Sequence, residues 1–212
     1  MRRVGFVTVT ALVLAVACTL NAEDTASTVS FRRAIRIMPA AEALDFTANK
    51  LVEFTLRETS RRSATFAELL RALDGLPDVI VYLQTATLEE RGLHGRARFE
   101  VARSGVLVGQ ITIHRFRPAE LKARIRTIAH ELAHAFEVAC LRRRATTSAL
   151  HEALAARATS YGRRRSAETP FPRAVDMAVL DEWFRQQLTT PQLGALALEY
   201  GLTDCPGQAA AR

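Results

Sequence analysis

The chain has 212 residues, 49% of them hydrophobic and 24% charged. That balance excludes a disordered or low-complexity chain, and the length suits one domain with a real core. The formal net charge is +7. A basic excess with no nucleic-acid reader motif argues against a nucleic-acid partner.

The chain opens with "MRRVGFVTVTALVLAVAC". Two arginines precede an uncharged apolar run from Val4 to Ala17, too short for a comfortable membrane span and ending in the small-residue pattern Ala15-Val16-Ala17. This predicts an export signal over 1–17 and a periplasmic or extracellular destination. Cys18 directly after the cleavage pattern leaves two fates open, lipidation to a membrane-anchored lipoprotein or plain secretion. Loss of Arg2 and Arg3 takes the charge from +7 to +5. Only Lys50 and Lys122 are lysines, an arginine bias that reads as genome composition. The arginine clusters 142–144 and 163–165 suit solvated helix ends or an anionic partner. Cys140 and Cys205 make no framework, so the expectation leans to two separate thiols, with a disulfide as the alternative.

A flexible leader is expected over 18–38. "PAAEALDFTANKLVEFTLRET" carries Leu44, Ala48, Leu51 and Val52 at helical spacing. "TFAELLRALDG" predicts a second helix, with Thr65 and Glu68 as capping box and Gly75 as stop. "DVIVYLQ" reads as a buried strand. In "GRARFEVARSGVLVGQITIH", Ala97, Phe99 and Val101 alternate with charged residues. Ser104-Gly105 supplies a turn, and Leu107, Gly109, Ile111 and Ile113 line one face of a second strand, which together predict a hairpin. After Pro118 the period becomes helical through "AELKARIRTIAHELAHAFEVACLRRR". Further helices are expected over Thr147–Tyr161 with Gly162 beyond, over "SAETPFPRAVDMAVLDEWFRQQL" with Val175, Val179 and Trp183 on one face, and over "TTPQLGALALEYG" with Thr190 as cap and Gly201 at its end. The fold class is α+β, with a small, mainly antiparallel three-stranded sheet followed by C-terminal helices. The domain runs over 39–205, and 206–212 is a disordered tail.

The helix expected over 119–144 carries the chemistry. At about 100° per residue, with His130 at zero, His134 lies at about 40°, Glu131 at about 100° and Glu137 at about 340°. Ile125, Ile128, Ala129, Leu132, Ala133, Phe136 and Cys140 form the opposite, apolar stripe. Two imidazoles four residues apart can share one Zn²⁺, and a glutamate directly after the first stands beside the metal without ligating it. There it can take a proton from a water whose pKa the metal brings to about 7, and pass it to a leaving amine. H-E-x-x-H is that arrangement.

"HELAHAFE", preceded by a hairpin and followed by helices, resembles the zincin superfamily of metallopeptidases. It looks most like exported bacterial proteins with an HExxHxxE helix. The specific match covers about ten residues, and a looser likeness runs from Ser63 to Leu188. The resemblance implies a metal helix packed on a small sheet whose edge pairs with extended substrate, here the 96–113 hairpin. Glu137 and Leu141 stand where metzincins have glycine and a third histidine, which argues against that branch. In the gluzincin branch a later glutamate completes the site, and Glu168 is the preferred equivalent. Glu137 is the alternative third ligand, or else orients a histidine. Glu152 is a weaker candidate. Tyr161, His151 and the arginines of 163–165 are weak candidates for an oxyanion donor or supporting role. His94 and His114 are expected to be surface or hairpin residues.

The expected function is an exported zinc metallopeptidase with one Zn²⁺ on His130 and His134, Glu131 as general base and a peptide or protein as substrate, in a monomeric chain. The alternative is a non-catalytic zincin-like module, lipid-anchored through Cys18, that uses its basic face for an anionic partner. A purely structural zinc site usually recruits cysteines, and none is paired near His130.

Overall fold

The structure is a computed structural model of the full chain. It describes residues 29–38, 43–88, 94–141, 147–158, 169–185, 190–202 and 205. The expected signal, Cys18 and both arginine clusters lie outside these residues. Among the described residues no helix is long and apolar enough to cross a membrane.

The fold is α+β, with six helices and one five-stranded sheet among the described residues. The strands are β1 (Val29–Ser30), β2 (Ile35–Ile37), β3 (Val79–Ala86), β4 (Gly95–Val101) and β5 (Leu107–His114). The helices are α1 (Ala43–Arg62), α2 (Ala64–Asp74), α3 (Leu121–Leu141), α4 (Thr147–Arg157), α5 (Pro170–Arg185) and α6 (Leu193–Glu199). The sheet order is β1-β2-β3-β5-β4.

The expected mainly antiparallel three-stranded sheet is corrected by a mixed one. β2 pairs parallel with β3, and β3 pairs parallel with β5; only the outer pairs β1–β2 and β4–β5 are antiparallel. Chain connectivity accounts for this. α1 and α2 lie between β2 and β3, and such a crossover returns the chain in the same direction. β4 enters at the outer edge, and its hairpin turns β5 back into the slot beside β3. The leader expected over 18–38 also reached too far. Ala34, Ile35 and Ile37 are buried in the core, and Val81 N–H donates to the Ala34 carbonyl. A three-residue strand shows no readable period.

The hairpin has the expected faces. Leu107, Gly109, Ile111 and Ile113 are buried, and Arg96, Arg98 and Glu100 are exposed. Gly105 adopts φ 82° in the turn, a conformation glycine takes without steric cost. One face of the sheet packs against α1 and α3, and α5 lies along α3. Two capping expectations are corrected. The α2 N-cap is Ser63, whose Oγ accepts the Phe66 N–H, not Thr65. α6 begins after Gln192 with no side-chain cap, so Thr190 does not fill that role. Gly75 and Gly201 do end their helices, Gly201 at φ 68°.

Cys140 and Cys205 form a disulfide, with Cα atoms 4.5 Å apart. This corrects the expectation of separate thiols. The bond ties the end of α3 to the C-terminal segment.

Candidate metal and catalytic centre on α3

α3 follows the turn at Pro118. Glu120 opens the helix: its carboxylate accepts the Arg117 N–H at 2.7 Å, and its carbonyl accepts the Arg124 N–H. The apolar stripe expected on α3 is buried throughout. Arg124 is buried as well, and its Nε donates to Thr55 Oγ1 at 2.6 Å, which fastens α3 to α1. Burial lowers the pKa of that guanidinium, and Glu120 opposes the shift.

His130 and His134 stand one turn apart with ring centroids 4.9 Å from each other. Each meets a buried carboxylate at Nδ1. His130 Nδ1 lies 2.9 Å from Asp176 Oδ2, supplied by α5. His134 Nδ1 lies 3.7 Å from Glu137 Oε2, one turn further along α3. Asp176 and Glu137 are both essentially without solvent exposure. Arg126 Nε stands 3.3 Å from Asp176 Oδ1, and Arg157 Nε of α4 stands 3.5 Å from Glu137 Oε1. The Thr169 hydroxyl donates a short hydrogen bond to Glu137 Oε2. A neutral imidazole that donates Nδ1–H to a carboxylate presents its Nε2 lone pair on the opposite side of the ring. The His130 ring is arranged for that tautomer, whereas Glu137 stands beyond hydrogen-bond distance of His134.

Glu131 is 7% exposed and lies beneath the first residue of β4. A Cβ placed on Gly95 would stand 2.4 Å from Glu131 Oε1 and 2.8 Å from Thr127 Cγ2. Only a residue without a side chain lets β4 begin this close to α3. The result is a cleft of about 580 Å³ over the α3 surface, with His130, Glu131, Gly95 and Asp176 in its wall. β4 is an edge strand of the sheet.

His130, Glu131 and His134 are thus brought together as their spacing implies. Glu137 lies on the Nδ1 side of His134 and is engaged by Thr169 and Arg157. Glu168 and Tyr161 lie outside the described residues, as does the side chain of His151. Glu168 is the chain neighbour of Thr169. Glu152 is on the exposed face of α4. His94, expected as a surface or hairpin residue, lines the cleft and stacks on Phe116 at 5.5 Å. His114, at the end of β5, accepts the Leu88 N–H on Nδ1 at 3.2 Å. Asp176 was not singled out by sequence reasoning. It sits on an otherwise apolar face of its helix, next to Val175 and three residues before Val179. A buried acid in such a face was the available signal.

Among the described residues no three His, Cys, Asp or Glu side chains gather closely enough to hold a metal ion. His130 and His134 are the side chains that could hold one together with a ligand from outside these residues. His130 is held by Asp176 at Nδ1, and the carboxylates of Glu131, Glu137 and Asp176 are all buried on α3 and α5. Asp176 Oδ1 and Glu137 Oε1 accept no hydrogen bond among the described residues and meet only arginines at ion-pair distance. Such a concentration of buried negative charge suits a divalent cation. No protein-family model, curated protein or solved structure matches this chain.

Proposed function

We propose that this chain is an exported zinc-dependent metallopeptidase. His130 and His134 hold one Zn²⁺ through Nε2, Glu168 completes the ligand set, and Glu131 is the general base. The observation that carries the reading is the engagement of His130 Nδ1 by the buried Asp176, with His134 one turn further on and Glu131, the next carboxylate, opening into the cleft. A carboxylate hydrogen-bonded behind His130 raises ligand basicity and fixes ring orientation, as zinc-ligating histidines require.

When bound, the ion supplies a Lewis acid that polarises the scissile carbonyl and brings a water's pKa to about 7. Glu131 would take the proton from the attacking water and hand it to the departing amine. Its low exposure beneath Gly95 keeps the carboxylate out of bulk solvent, where its interactions count for more. β4, as an edge strand, offers that edge to extended substrate. The Cys140–Cys205 disulfide agrees with an oxidising, exported destination.

The test is metal content and cleavage together. The chain lacking residues 1–17 is expected to carry one zinc per molecule by mass spectrometry and to cut casein or a peptide library. Glu131→Gln is expected to keep the zinc and lose at least about 100-fold in rate. Absence of zinc from the purified chain overturns the proposal. Tight stoichiometric zinc in Glu168→Ala, with loss in Glu137→Ala, would transfer the third ligand to Glu137.

A further inference from the structure

The cleft holds a charge pattern that hydrolysis itself does not use. Lys122, Arg126, His130 and His134 are spaced four residues apart on α3, so they form one row at about 6 Å of axis per step. Ala123 and Thr127 of the next row, with Ala119 in the turn before the helix, also line the cleft, and their small side chains leave depth beside the row. The two further acids of the cleft wall are engaged: Asp176 with His130, and Glu120 with the backbone of Arg117. The two cations face outward. Lys122 is exposed, with its ammonium 5.6 Å from the ring centroid of Phe184. The Arg126 side chain is 50% exposed even though its Nε meets Asp176.

We propose that this row reads a carboxylate on the substrate, held by Arg126 with Lys122 behind it. The guanidinium presents a planar fork that matches a carboxylate, and the ammonium adds a point charge one turn further out. Phe184 holds the ammonium at the rim through its ring face. Arg126 stands roughly 9 Å along the helix axis from the midpoint of the two histidines, and Lys122 roughly 15 Å. At about 3.3 Å per extended residue, the recognised carboxylate lies about three to five residues from the reacting bond. It belongs either to an Asp or Glu side chain or to a free C-terminus. The position relative to a scissile bond rests on the peptidase reading; recognition of the carboxylate does not.

The test measures binding, separately from turnover. Labelled ten-residue peptides are titrated by fluorescence anisotropy onto the Glu131→Gln chain. Glu is placed in turn at each position of a neutral sequence, against Gln at the same position, with free or amidated C-termini. At least one Glu peptide, or the free over the amidated C-terminus, is expected to bind about tenfold tighter, and less so as salt rises. Lys122→Glu is expected to bring that ratio to within about twofold, and Arg126→Gln to lower it as well. Ratios within one variant cancel any general loss of folded protein. Equal affinity for every Glu and Gln pair and for both C-termini overturns the inference, as does a ratio untouched by Lys122→Glu. Zinc content and cleavage by the unsubstituted chain are measured in parallel. A carboxylate preference that depends on Lys122, in a chain with neither zinc nor cleavage, upholds this site and overturns the peptidase. Zinc and cleavage with no such preference do the reverse.

Discussion

His130 Nδ1 meets Asp176 Oδ2 at 2.9 Å, and a contact that short between an imidazole and a buried acid orients the ring. Asp176→Asn keeps the shape and removes the charge. Zinc affinity, measured by chelator competition, is expected to fall about 10- to 100-fold; an unchanged affinity would remove Asp176 from that role. Gly95→Ala tests the other side of the cleft. Its methyl group must displace the Glu131 carboxylate, so kcat is expected to drop about 100-fold while the fold survives. A Gly95→Ala chain with full activity would mean that Glu131 has room to spare. His130, Glu131 and His134 were legible because helical spacing alone puts them on one side of α3. Asp176 lies 46 residues from His130 on a different helix, and no spacing rule joins them.

At the level of elements, the start of α2 is built by a partner distant in sequence. Glu182 of α5 accepts from Ser63 Oγ at 2.6 Å, from Thr65 N–H at 3.0 Å and from Thr65 Oγ1 at 2.5 Å, all buried. Thr65 Oγ1 also accepts the Gln192 N–H at the entry to α6. One carboxylate therefore joins α2 and α5, with α6 attached through Thr65. Glu182→Ala leaves three buried donors without their acceptor and is expected to cost about 3 kcal/mol, read from the urea midpoint. A loss under about 1 kcal/mol would mean that water replaces the carboxylate. This network explains why the local reading of Thr65 and Glu68 as a capping box failed. Ser63 caps the helix, and Thr65 turns to an acid that the local sequence does not contain. The hairpin was read correctly because its alternation and its turn are both local, whereas the parallel pairings of β3 depend on chain segments far apart.

For the molecule as a whole, the Cys140–Cys205 bond closes a loop of 65 residues that contains α4, α5 and α6. Restricting the unfolded chain in this way is expected to contribute about 4 kcal/mol. Reductant, or the double substitution Cys140→Ala and Cys205→Ala, should lower the urea midpoint accordingly; indifference to both would show that the bond adds nothing to stability. Because the bond anchors the far end of the helix that carries His130 and His134, its loss should also loosen zinc. The amino-acid sequence by itself determined the α+β class, the order of helices from α1 to α6, the hairpin and the face of α3 that carries His130, Glu131 and His134. Each of these follows from residue periodicity within one element, which the backbone geometry fixes. Only the tertiary structure decided the mixed order of the sheet, the disulfide, the position of Asp176 and Glu137 behind the two histidines, and the closeness of Gly95 to Glu131. Those depend on which elements pack together, and that is settled by burial of surfaces far apart in the chain rather than by any spacing along it.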